Sequence, residues 1–321
     1  MKKALLLLKI SFFILGFAAV LLYFYVLNIL QTPMAVDAPK LIQIESGASL
    51  AKIARTLRQK GLIEKDFYFI LYSKINKIYP KIKAGEYLID EDVTLEKLAD
   101  ILASGKVYLR KITFAEGLNA REIADILYQN EILEGDFDVP PEGAFLPETY
   151  TFSRGDTRQS IINQGVAAMN KVLEQAWQEK DADLPLRNKE EMLILASIVE
   201  KETGVAAERP QVASVFVNRL KKGMLLQTDP TVIYALTLGK SDLGRDLRSK
   251  DLAVDSPYNT YKYAGLPPTP ICSPGKAAIM AVAHPDKTPY LYFVASGTGG
   301  HNFARTLQEH NANVRKWRAK K

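Results

Sequence analysis

The sequence predicts an α+β protein behind one N-terminal membrane-spanning helix, with a small strand–helix–helix–strand module followed by a larger mixed domain. Three observations predict it. Residues 10–30 contain no charged side chain. Residues 41–105 alternate short strand patterns with amphipathic helical patterns. The remainder holds three long helical patterns, a proline-rich stretch and one late strand. The division that follows is a cytoplasmic N-terminus at 1–9, a transmembrane helix at 10–30, a tether at 31–39, the module at 40–106 and the larger domain at 107–321.

The apolar run comes first. At about 1.5 Å per residue, residues 10–30 span the ~30 Å hydrocarbon core of a bilayer. Lys2, Lys3 and Lys9 precede it, which favours a cytoplasmic N-terminus. Tyr23 and Tyr25 lie toward its far end, where aromatic rings suit the interface. A cleaved signal peptide would have an apolar region of only about 7–15 residues followed by a small-residue cut site. The candidate site, Ala35 to Ala38, lies well past the run and is closely followed by Pro39. The expectation is therefore an uncleaved anchor.

Composition bounds the rest. A chain with 24% charged and 47% hydrophobic residues has the make-up of a globular protein, which excludes a disordered one. The net charge is +6, with Arg315, Arg318, Lys320 and Lys321 reading as a solvated helix end. Nucleic acid is not an expected partner of a translocated domain; attraction to anionic envelope material is. Cys272 is the only cysteine, so there is no internal disulfide framework, and it reads as a small buried apolar residue.

Within the module, 41–44 reads as a strand. Ser49 caps a helix carrying Leu50, Ile53, Ala54 and Leu57, which Gly61 ends. A second helix covers 67–75 and a return strand 84–89. Thr94 caps a further helix with Leu95, Leu98 and Ile101, closed by Gly105. A shift of 70 residues carries Ile42, Ile44, Gly47, Ile53, Ala54 and Leu57 onto Ile112, Phe114, Gly117, Ile123, Ala124 and Leu127. This suggests one strand–Gly–helix template used twice. In the larger domain helices are expected at 161–177, 189–203 and 209–222, then a loop-rich stretch marked by Pro230, Pro257, Pro267, Pro268, Pro270 and Pro274. A buried strand at 290–295 and a last helix at about 306–318 follow.

The chemistry concentrates between Leu193 and His301. Leu195, Ile198, Val199 and Glu202 stand at i, i+3, i+4 and i+7, which puts a carboxyl on an apolar helix face. Desolvation there raises its pKa, as a general acid requires. The alternative is a salt bridge from Glu202 to Arg209 or Arg219. Glu200, turned off that face, is the fallback acid. Gln227 and Asp229 in one loop, and Tyr258, Asn259 and Tyr261 in another, combine amides, hydroxyls and aromatic rings. That mixture suits sugars, whose hydroxyl groups take hydrogen bonds and whose C–H faces stack on rings; each run alone could equally be turn chemistry. His284, His301 and His310 are too dispersed for a metal motif, so no metal is expected. Gly297 to Gly300 reads as a hairpin turn. No GxSxG elbow is present.

Residues 42–57, IQIESGASLAKIARTL, resemble a LysM module, a class that binds N-acetylglucosamine-containing wall glycans. EGAFLPETYTF, ASIVEKET, ERPQVASVFVNRLKKGMLLQTDPTVIYAL, SPYNTY, GLPPTPI, SPG, HPDKTPYLYFVASGTGGHNF and EHN together resemble the YceG-like family of endolytic murein transglycosylases. The resemblance runs in order over nearly the whole chain and is weakest at 134–141. It implies a LysM-like module joined to an α+β catalytic domain, with cleavage of the MurNAc–GlcNAc β-1,4 bond inside peptidoglycan strands and no cofactor. It implies peptidoglycan glycan strands as substrate, cell-wall synthesis enzymes as candidate partners, and a place on the inner membrane with the catalytic domain in the periplasm. Residue by residue, Glu202 matches the catalytic Glu, and Gln227, Asp229, Tyr258, Asn259 and Tyr261 match motifs near the cleft. A hydrolytic muramidase using Asp229 as second carboxylate, and a non-catalytic wall-binding scaffold, are the rival readings.

Overall fold

The computed structural model describes residues 2–319; Lys320 and Lys321 of the basic tail, and Met1, lie outside the described residues. The fold is mixed α+β and divides into two compact units. One comprises the chain up to Arg110 together with Ser153–Gly155; the other comprises Lys111–Phe152 and the chain from Asp156 onward.

The first unit begins with helix α1 (Lys2–Gln31). Its stretch Leu8–Gln31 is long and apolar enough to cross a membrane, and it is not buried within the protein. The module follows as β1 (Lys40–Ile44), α2 (Leu50–Gln59), α3 (Asp66–Ile75), β2 (Gly85–Ile89) and α4 (Leu95–Ser104). Strands β1 and β2 pair antiparallel, with Ile42 opposite Tyr87. Ser49 accepts from the Lys52 amide and Thr94 from the Lys97 amide, so each helix starts on a side-chain cap. Ile42, Leu57, Phe69, Tyr87 and Leu98 close the core. The segment expected as a tether is pinned to this unit. Met34 and Val93 exchange backbone hydrogen bonds at 2.8 and 3.2 Å, and the Val36 amide donates to Asp92 at 2.9 Å. Buried Glu86 receives Arg110 and, at 2.9 Å, Arg154. Burial pushes its carboxyl up, but the two arginines outweigh that and hold it below the usual range.

The second unit takes in β3 (Arg110–Thr113) from its second residue onward, then α5 (Ala120–Tyr128), β4 (Thr149–Phe152), α6 (Arg158–Glu179), α7 (Lys189–Glu202), α8 (Arg209–Lys221), α9 (Asp229–Thr237), α10 (Lys276–Ala283), β5 (Tyr292–Ala295), β6 (His301–Ala304) and α11 (Leu307–Arg318). The template of β1 and α2 recurs in β3 and α5. Ile112, Phe114, Ile123, Ala124 and Leu127 are all buried, like their counterparts. Gly47 and Gly117 both take positive φ, and Asn119 caps α5 as Ser49 caps α2. Phe145 reaches α6 because Gly165 has no side chain; a Cβ there would stand 2.1 Å from the Phe145 ring.

Helix α7 is the centre of the larger core, packed by α6, α8 and α10. Two helices lie in the stretch read as loop. Pro230 stands in the first turn of α9, where its missing N–H costs nothing. Helix α10, KAAIMAVA, is buried on most sides and so lacks the polar face that marks a helix in sequence. The strand expected to be buried, β5, is only half-buried, because it belongs to a two-stranded ribbon with β6.

Candidate active site

Leu195, Ile198 and Val199 are fully buried, and so are Ala196 and Ser197. The apolar surround of α7 is therefore wider than one stripe. Glu202 is its last residue, where the helix leaves the core and meets a cleft of about 400 Å³. The cleft floor is Glu202 with Phe216, Arg219 and Leu226; one wall is Gln227, Asp229 and Tyr261; the other is Tyr292, Phe293, Val294, Leu307 and His310 from the β5–β6 ribbon and α11.

The carboxyl of Glu202 is pushed up to about 7. Burial is the main cause; the Thr228 hydroxyl, which donates to Oε1, pulls it back, and the Asp229 carboxylate pushes it up again. The negative end of the α7 dipole acts in the same direction as burial. Neither arginine named as a salt-bridge partner pairs with it. Arg209 goes to Glu116 at 3.1 Å and Glu200 at 3.3 Å. Arg219 donates to the carbonyls of Leu291 at 2.7 Å, Leu226 at 2.8 Å and Leu225 at 3.2 Å. It thereby ties the ribbon to the Gln227 loop, with its guanidinium over the Tyr292 ring.

Glu200 does not line this cleft. It accepts from the Gly275 amide at 2.9 Å as well as from Arg209, and so joins α7 to the starts of α8 and α10. Gln227 is held at positive φ, its amide donating to the Thr260 carbonyl at 3.1 Å. The Tyr261 hydroxyl donates to Asp229 at 2.6 Å. Thr228 is buried and fixed by Thr260, whose hydroxyl accepts from the Thr228 amide at 3.1 Å.

The remaining two expected residues stand behind the wall. Fully buried Asn259 donates to the Leu252 and Val254 carbonyls and accepts from the Tyr261 amide. Its amide is consumed in shaping the loop that presents Tyr261. Tyr258 bonds Thr269 at 2.8 Å and packs its ring 4.9 Å from Tyr234. The sequence carries no signal that marks Arg219, Tyr292, Phe293 and His310 as cleft groups, whereas Thr228 stands between Gln227 and Asp229 and its position alone could have pointed to it. Cys272 is buried against the Ser197 carbonyl, and burial pushes its thiol up.

A half-buried carboxylic acid poised near neutrality, facing a cleft of amide, carboxylate and ring groups, marks the class: an enzyme working by acid–base chemistry. The sequence model of the YceG-like family matches residues 42–316, and the chain belongs to that family. It is 34% identical to the endolytic murein transglycosylase of Bacillus subtilis (strain 168), over 86% of this chain and 84% of that one. It is 31% identical to the endolytic murein transglycosylase of Streptococcus pneumoniae serotype 2 (strain D39 / NCTC 7466), over 91% of this chain and 61% of that longer one. A crystal structure of a yceG-like protein from Listeria monocytogenes superposes with a TM-score of 0.53 at 31% identity, covering 86% of this chain and 99% of that one.

Proposed function

We propose that the chain is an endolytic murein transglycosylase that cuts the MurNAc–GlcNAc β-1,4 bond within peptidoglycan strands. The observation that carries this is the position of Glu202: a carboxyl raised to about 7, at the floor of a cleft with room for sugar rings. The names of the relatives support the same reaction.

Protonated Glu202 donates its proton to the leaving glycosidic oxygen. The carboxylate so formed takes the proton of the C6 hydroxyl of the same MurNAc ring as that oxygen attacks C1. The bond to the leaving sugar breaks, a 1,6-anhydro-MurNAc end forms, and no water is consumed. Attack from within one ring gains from proximity. One carboxyl serves as acid and then base, whereas a hydrolase uses two. Thr228 orients Glu202, and its bond strengthens as the carboxylate forms. Gln227, Asp229 and Tyr261 contact the glycan from one wall; Tyr292 and Phe293 offer ring faces from the other. Tyr258 and Asn259 act through the loop they shape.

The apolar helix α1 supports a single-pass anchor with the N-terminus in the cytoplasm and the residues that follow the helix in the periplasm. On that reading the enzyme works on nascent strands near the membrane, beside the synthesis enzymes, and its internal cuts set where polymerisation ends. The strand–helix–helix–strand order of the first unit supports the LysM-like reading. Mass spectrometry of digested glycan strands tests the reaction: anhydro ends are expected, and reducing MurNAc ends in their place would favour the muramidase. A chain lacking residues 1–30 should cut strands in vitro yet fail to replace the full-length protein in cells; full replacement would show the anchor to be unnecessary.

A further inference from the structure

We propose that the outward face of α3 is a membrane-docking surface: Phe67, Leu71 and Ile75 enter the leaflet at the C-terminal end of α1, and the lysines around them meet anionic lipid headgroups. The inference rests on α1 spanning a bilayer and is independent of the chemistry in the cleft.

Helix α3 has two apolar sides. Phe69 and Ser73 are buried in the module core. On the other side Phe67, Leu71 and Ile75 stand at i, i+4 and i+8 and are 64%, 45% and 70% exposed. Single exposed apolar side chains are ordinary. Three large ones in register on one helix face make an interfacial pattern.

The place of α3 identifies what covers that face. The Tyr68 hydroxyl, one residue beyond Phe67, lies 3.1 Å from the Tyr25 hydroxyl of α1, and Leu30 at the end of α1 packs against the module core. Tyr25 stands about 9 Å before the end of α1, at ~1.5 Å per residue. The 24 residues of the apolar stretch run about 36 Å against a ~30 Å hydrocarbon core. With the stretch centred on the core, the Tyr25 backbone falls about 6 Å inside the hydrocarbon boundary, close enough for its hydroxyl to reach toward the belt that tyrosines favour. A helix fastened there, in a module whose Val93 also pairs with Met34 just past the end of α1, begins at the level of the lipid boundary.

Charge agrees. Lys65, Lys74, Lys77 and Lys81 are exposed on α3 and the turns beside it, and none forms an ion pair among the described residues; of the nearby acids, Asp66 is taken by Arg58 at 2.8 Å. Unpaired lysines beside an apolar stripe match an anionic lipid surface. They oppose a self-complementary contact with a second copy, which would bring like charges together.

The test uses the full-length chain in nanodiscs of phosphatidylcholine with or without phosphatidylglycerol. A spin label is placed singly at Phe67→Cys, Leu71→Cys or Ile75→Cys, with Lys106→Cys as an exposed control, and its collisions with dioxygen and with a water-soluble nickel chelate are compared. At the three stripe positions the oxygen-to-nickel ratio should exceed the control several-fold. The ratio should rise further with phosphatidylglycerol and lose that increment in a Lys74→Glu, Lys77→Glu background. Nickel collisions equal to the control would overturn the proposal, because the face would then be in water. Low collision with both reagents would overturn it too, because protein would then cover the face. The unlabelled wild type gives a second reading: a phospholipid with a diazirine in its acyl chain should cross-link to the peptide containing α3 as well as to α1. Cross-links confined to α1 would contradict the proposal.

Discussion

The hydroxyl of Thr228 donates a hydrogen bond to Oε1 of Glu202. It joins the last residue of α7 to the loop that leads into α9. A hydrogen bond to a charged acceptor is worth roughly 1.5–3 kcal/mol; losing it disfavours the carboxylate and frees the side chain to turn. Thr228→Val should therefore lower kcat and move the alkaline limb of the activity profile upward by about one pH unit. Thr228→Ser should restore the limb. A Val variant with an unmoved limb would mean that Thr228 does not act through Glu202.

Asp229 pushes the Glu202 carboxyl in the opposite direction. Removing its charge with Asp229→Asn should shift the alkaline limb to lower pH while leaving measurable cutting. A hydrolase that used Asp229 as its second carboxylate would lose nearly all activity instead, so the pH profile of this one variant separates the two mechanisms.

The raised pKa of Glu202 has a stability consequence. A group shifted up from 4.5 to about 7 favours the fold below its unfolded value, and that contribution is lost as pH rises through 7. At pH 8 ionised Glu202 costs the fold on the order of 3 kcal/mol relative to acid conditions. Glu202→Gln should therefore be more stable than wild type at pH 8, with the difference shrinking toward pH 5. Urea unfolding at the two pH values checks this; a difference that does not vary with pH would mean that Glu202 is not held neutral by its surroundings.

Asn259 shows how far sequence reasoning reaches. Its place in SPYNTY drew attention to the correct loop, yet its side chain faces inward and only its neighbour Tyr261 meets the cleft. Asn259→Ala leaves the Leu252 and Val254 carbonyls buried without their donor, at about 1–3 kcal/mol. Thermal unfolding should show that loss together with reduced activity; a stable but inactive variant would instead place Asn259 in contact with substrate.

Local signals explain what was legible. Helix α7 and its terminal carboxyl follow from spacing over a few residues, and so do the caps Ser49 and Thr94; the Asn188 and Thr306 caps emerge only in the structure. Helix α10 was not legible, because a helix buried on most sides carries no periodic polar face. Helix α9 was hidden by reading Pro230 as a turn when it opens the helix. The far wall of the cleft was not legible either. Tyr292, Phe293 and His310 lie about a hundred residues beyond Glu202 in the sequence, and only the packing of the ribbon on α8 and α11 brings them opposite it. Arg219 looked like an ion-pair partner for Glu202, but backbone carbonyls with no sequence signature occupy it.

The central claim is that Glu202 alone serves as acid and then base in forming an anhydro end. Purified glycan strands digested by wild type and by Glu202→Gln, with mass-spectrometric analysis of the new ends, test it most directly. Wild type should give 1,6-anhydro-MurNAc ends, and the variant should form them at least roughly a hundredfold more slowly. Undiminished cutting by Glu202→Gln, or reducing ends from wild type, would contradict it.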